Sequence, residues 1–245
     1  MTDERSHRTP DARVTEQRTP LENASASRAS DELRAGPIGG QLWAVARGIF
    51  IALRLPALAE RYDSTAVLAV FSFLNGCISI ALMAAVALVS HQPFVFPSLG
   101  PTAFLFFYTP LAPSASPRNA FIGHLIGVVA GWSSLAAFHL LHAGPALATG
   151  VTAARIGAAA LSLGLTSGLM VLLRAPHPPA GATTLIISLG LLRRVEELVV
   201  LMAAVVLLTV QAMVINRLAG VPYPVWGARK AQGAGTSGTA MRERS

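Results

Sequence analysis

Between positions 64 and 195 the chain carries five arginines and not one aspartate or glutamate, and most of that stretch is apolar. Four runs in and beyond it, residues 65–89, 120–141, 150–173 and 198–215, each approach the ~20 residues a helix needs to cross ~30 Å of hydrocarbon. With 53% hydrophobic and 13% charged residues and a mean hydropathy of +0.54, the 245-residue chain falls in the membrane class. The single cysteine, Cys77, sits in an apolar run, which excludes an intrachain disulfide framework and a thiolate metal cluster.

Two further apolar runs, residues 99–108 and 180–192, are too short to span as helices at ~1.5 Å per residue. Each follows a proline-rich break, "FPSLGPT" and "HPPAGATT". The breaks share P-x-x-G-x-T, matching Pro97 with Pro178, Gly100 with Gly181 and Thr102 with Thr183. Each short run also has a long run on either side. The order long, short, long therefore occurs twice, in residues 64–141 and 150–217, as an internal repeat does. The expected fold is an all-α integral membrane protein: four long transmembrane helices plus two broken or half helices after Pro-rich breaks, arranged as two inverted three-segment repeats.

Irregular backbone at membrane depth must be buried in protein or line a watery cavity. Half-helices in paired repeats do this at binding sites, where their N-termini present N–H groups and a positive dipole end. Both breaks precede their short runs, so both expose helix N-termini. An acid-free body favours a small anion over a cation. The expected substrate-binding residues are Ser98, Gly100, Thr102, His177, Gly181, Thr183 and Thr184, with Arg118, Asn119 and His124 as gate or relay. Membrane-edge anchoring is the plainer role for Arg118 and Asn119, and helix capping or headgroup contact for His177. His139 and His142 stand three apart without an evident third ligand, and an interface location suits them better than metal.

The segments "HPPAGAT" (177–183), "FPSLGPTA" (96–103) and "SPRNAFIGHLIG" (116–127) together resemble the HPP family of integral membrane proteins, named for its His-Pro-Pro motif. The resemblance covers about residues 60–217. It implies nitrite or a similar anion as substrate, since plant members are linked to nitrite transport. Some members carry CBS domains, which this sequence lacks. Pro101 stands where the family is expected to have a small residue.

Residues 1–45 read as a disordered cytoplasmic tail, 46–63 as an interfacial helix, 64–217 as the transmembrane domain and 218–245 as a flexible C-terminal tail. No secretory signal or cleaved segment is expected. No nucleophile–base pair, carboxylate pair, phosphate loop or metal set is evident, so neither enzyme activity nor a cofactor is expected. The alternative to transport is a non-transporting scaffold or sensor subunit. Expected partners are a small anion, the lipid bilayer and a second copy through the glycine faces at 123/127/131 and 164/168, with no nucleic acid. Six crossings would put Arg54, Arg61, Arg118, Arg174 and Arg217 on one side, cytoplasmic by the positive-inside rule in a bacterial inner membrane, with both termini; Arg193 and Arg194 dissent. Re-entrant short segments would leave four crossings and parallel repeats. Composition leaves both open.

Overall fold

The structure, a computed structural model, describes residues 54–228. The tail over 1–45, positions 46–53 of the expected interfacial helix and positions 229–245 lie outside the described residues. The helices are α1 (Leu55–Arg61), α2 (Ser64–Ser90), α3 (Leu99–Tyr108), α4 (Pro117–Ala137), α5 (Ala146–Thr149), α6 (Ala153–Leu172), α7 (Ala180–Ser188) and α8 (Val195–Leu218), with one 3-10 turn at Pro113–Ala115. Among the described residues there is no strand. Four helices, α2, α4, α6 and α8, are long and apolar enough to cross a membrane. The chain is an all-α, multi-pass membrane protein.

Local chemistry sets the helix starts. Asp63 accepts from the Ala66 N–H at 2.7 Å ahead of α2, and Thr152 accepts from the Arg155 N–H at 3.2 Å ahead of α6. Ser116 caps α4, whose first residue, Pro117, has no N–H to lose. Glu197 accepts from the N–H groups of Arg193 and Arg194, at 2.9 and 3.1 Å, where α8 begins. The ends are harder to read from apolarity. The run expected over 120–141 stops as a helix at Ala137, before His139 in the left-handed region at φ 57°. The run over 180–192 stops at Ser188, and Gly190 turns the chain at φ 80°, where a Cβ would sit 2.9 Å from the Arg155 guanidinium.

Hydrogen bonds show which helix ends share a face. On the first face, Leu55 N–H donates to Ala219 O, Arg118 N–H to Trp226 O, the Arg118 guanidinium to Arg174 O, and Arg217 to Tyr223 O. Burial pushes the Tyr223 hydroxyl pKa up, so it stays protonated and donates to Ala115 O on that same face. On the opposite face, Arg155 donates to Gly144 O and Ser188 O, Arg193 to Ala143 O, and Ala146 N–H to Leu189 O. The chain therefore goes from the first face up α2, back through α3, up α4, down α6, up through α7 and down α8. Six traverses fit this path, with the two short segments passing through rather than re-entering; Arg118 and Arg217 bond on the first face and Arg193 on the opposite one.

α4 is the central helix. It packs against α6, α7 and α8, while α8 also packs against α2 and α3, and α1 lies on α2. The outward side of α2 exposes Val70, Phe73, Leu74, Ile78 and Leu82, which suits a surface solvated by acyl chains.

Cysteine accessibility follows from this path. On a Cys77→Ser background, Ser114→Cys should react with an impermeant maleimide only in inverted vesicles, and Thr149→Cys only in intact cells. Reaction of Ser114→Cys in intact cells would contradict six traverses, because re-entrant short segments put Ser114 outside and Thr149 inside.

Candidate functional site

Four of the predicted residues meet at one point. One turn into each short helix, a threonine reaches the same imidazole. Thr102 Oγ1 on α3 lies 3.0 Å from His124 Nε2, and Thr183 Oγ1 on α7 lies 2.7 Å from His124 Nδ1. His177, just ahead of α7, completes the cluster. Its Nε2 is 3.2 Å from His124 Nε2 and 3.3 Å from Thr102 Oγ1, and its Nδ1 is 2.8 Å from the Ser114 carbonyl. All four side chains have 0% exposure.

The donors and acceptors assign the protons. A carbonyl only accepts, so His177 carries a proton on Nδ1 and, when neutral, offers a lone pair at Nε2. A proton on His124 Nε2 then faces that lone pair and Thr102 Oγ1, and the Thr102 hydroxyl donates to Ser98 O at 3.0 Å. His124 Nδ1 is left as an acceptor, so the Thr183 hydroxyl donates to it. The cluster closes in a wholly neutral state with every ring nitrogen used.

Three glycines let α7 come this close. A Cβ at Gly123 would lie 2.7 Å from His177 Cβ; at Gly127, 2.8 Å from Ala180 O; at Gly131, 2.9 Å from Ile187 Cβ. The expected 123/127/131 face is therefore filled by α7 of the same chain and gives no surface to a second copy. Among the described residues, nothing lies within 4 Å of a Cβ added at Gly164 or Gly168. Thr184 pins the contact further, at 2.6 Å from Thr166 Oγ1 and donating to Gly127 O at 3.1 Å.

Of the other predicted residues, Ser98 joins the cluster through its carbonyl, and Gly100, Gly181, Arg118 and Asn119 lie apart from it. Gly100 is exposed, and an added Cβ at Gly181 would touch only Leu163, at 3.5 Å. The reason is helical geometry: residues two apart point to nearly opposite sides, so a glycine two before the inward threonine faces out. The expected free N–H groups at the start of α7 are also engaged, since Ala180, Gly181 and Ala182 donate to the carbonyls of His177, Pro178 and Pro179 at 3.0–3.1 Å. Ser98 is fully buried, and its hydroxyl has no partner among the described residues. Arg118 caps the end of α6 through Leu173 O and Arg174 O, and Asn119 donates to Pro113 O, so both brace the first face rather than touch the cluster. His139 and His142 are exposed.

Sequence reasoning missed the Ser114 carbonyl and Thr166, which carried no signal, and Arg155, which did. An arginine inside an apolar run with no acid near it calls for carbonyl partners. Arg155 is 2% exposed and donates to Ser188 O at the negative end of α7.

A family model described as "HPP, transmembrane region" matches residues 61–224. No curated protein and no solved structure matches the chain.

The glycine contacts predict an asymmetry in stability. Gly123→Ala and Gly131→Ala should each destabilise by about 1–3 kcal/mol through overpacking, and Gly164→Ala and Gly168→Ala should not. Melting temperatures in one detergent would show it; equal effects at both pairs would contradict the packing.

Proposed function

The chain belongs to the HPP family of integral membrane proteins, and on that footing we propose that it is a transporter or channel for a small inorganic anion of the nitrite kind, held by Thr102, Thr183 and His124. The observation that carries this reading is the convergence of Thr102 and Thr183, the matching positions of the two P-x-x-G-x-T breaks, on the two ring nitrogens of one histidine. α3 and α7 both begin at that cluster and run to opposite faces: Phe106 O, near the end of α3, accepts from Asn216, whereas α7 ends beside Arg155. Their positive dipole ends therefore point at the same place. α3, α4, α6 and α7 contain no acid. The third helix of each repeat packs on the other repeat, as an inverted pair would.

An oxyanion suits these donors because its separate oxygens can accept from the two hydroxyls. The His124 ring stands between them, so passage requires that ring to swing aside. His124 is the eighth residue of α4, about 10 Å from its Pro117 end at ~1.5 Å per residue, less than one turn on the arginine-face side of the helix centre. By the positive-inside rule that face is cytoplasmic in a bacterial inner membrane. A non-transporting scaffold is the competing reading. It is favoured by the same closed network, because a buried structural pin also satisfies its polar atoms internally.

Flux separates the two. Purified protein in liposomes should admit nitrite in preference to chloride, with nitrate, formate and bicarbonate compared. Thr102→Val and Thr183→Val, each losing a hydrogen bond to a charged group of about 1.5–3 kcal/mol, should weaken apparent affinity roughly ten- to a hundred-fold in monodisperse protein. Values within two- to threefold of the parent, or no flux above protein-free vesicles, would favour the scaffold.

A further inference from the structure

We propose that His124 takes up one proton at Nδ1 for each anion bound, making passage an electroneutral anion–proton symport. This rests on the anion reading above and adds the co-transported ion. The inference comes from which hydrogen bonds in the cluster can reverse. His177 Nδ1–H is held by the Ser114 carbonyl, which cannot become a donor, and its Nε2 faces His124 Nε2 and Thr102. His124 Nδ1 faces only the Thr183 hydroxyl at 2.7 Å, and a hydroxyl can turn from donor to acceptor. It is the one ring position where a proton can be added without leaving two donors opposed.

The addition has two consequences in one step. A proton from water forms an N–H bond at Nδ1, the Thr183 O–H···Nδ1 bond breaks, and that hydroxyl hydrogen is freed for the anion. The imidazole also gains a positive charge. At 0% exposure a bare imidazolium or a bare anion is costly, and a pair is far less so. Among the described residues no other charge is placed to compensate either ion. α7 holds no titratable side chain, and the one on α3 is Tyr108, at its far end. Arg118 on α4 is turned to Leu173 O and Arg174 O, and Arg155 on α6 to Gly144 O and Ser188 O. On α8, Glu196 and Glu197 lie in its first turn at the opposite face, and Arg217 bonds Tyr223 O. Tyr223 is separated from His177 by the Phe106 ring, with centroids 6.3 and 6.4 Å away. His177 is thus the sole titratable side chain in contact with His124 among the described residues. Proton and anion enter this site together or not at all, and the reverse step on the far side returns the Nδ1 proton to water with the anion.

The test uses full-length protein in liposomes with nitrite as probe, valinomycin and potassium to set the membrane potential, and protein-free vesicles to subtract passive nitrous acid. At symmetric pH, downhill nitrite entry above background reports the anion reading by itself. With the outside one pH unit more acidic, 1:1 symport should accumulate nitrite about tenfold, independent of potential, with an equal proton influx seen by an internal dye. His124→Gln should abolish that accumulation. Should the variant misfold, the proton-to-nitrite ratio in the parent decides alone. Entry at symmetric pH that responds to potential and not to the pH gradient would overturn symport while leaving anion passage standing. Gradient-driven accumulation undiminished in folded His124→Gln would also overturn it, and no entry at any pH would overturn both readings.

Discussion

A helix that stops inside a bilayer leaves backbone polar groups with no water to bond, and the rest of this structure answers that constraint. α3 and α7 both begin inside the helix bundle, one turn before the buried Thr102 and Thr183, after Pro97–Ser98 and Pro178–Pro179. The second break is closed by turn bonds from Ala180, Gly181 and Ala182 N–H back onto the carbonyls just before them. Both are then enclosed by protein: α4 lies along α7 through its glycines, and α8 covers α3 through Asn216. The long helices supply the hydrocarbon-facing wall that makes such enclosure feasible.

Enclosure dictates the chemistry of the cluster. Thr102, Thr183, His124 and His177 are removed from water, so each must find partners among the others, and they do so in a neutral state. Neutrality is inexpensive in a dry site and charge is not. On the proposed reading, the acid-free surround tilts that balance toward an anion, because one imidazolium and one anion neutralise each other where either alone is costly. The glycines at 123, 127 and 131 are part of this arrangement: they hold α7 at the distance at which Thr183 reaches the ring.

Much of this was legible before the structure. The α3 run over 99–108 and the four long spans are set by apolarity and proline, which act locally, and the helices match to within a few residues. The P-x-x-G-x-T pairing brought Thr102 and Thr183 forward together. Other parts were not legible, for physical reasons. Gly100 and Gly181 share the motif with those threonines but face away, because a motif records spacing and not the helix face. The N–H groups of α7 were expected to be free, and a turn bonded by backbone alone leaves no side-chain trace. Thr184 looked equivalent to Thr183, yet its neighbours Thr166 and Gly127 O come from α6 and α4, whose approach no local pattern specifies.

The central claim is that an anion binds where the two threonines meet His124. Its most direct measurement is nitrogen NMR of histidine-labelled protein in nanodiscs titrated with nitrite at constant pH, with ring signals assigned from His124→Gln and His177→Gln samples. The account predicts that the His124 nitrogens shift saturably while those of exposed His91, His139 and His142 stay fixed, and that Thr183→Val removes the response. Unmoved His124 and His177 signals at nitrite concentrations that saturate flux would contradict it.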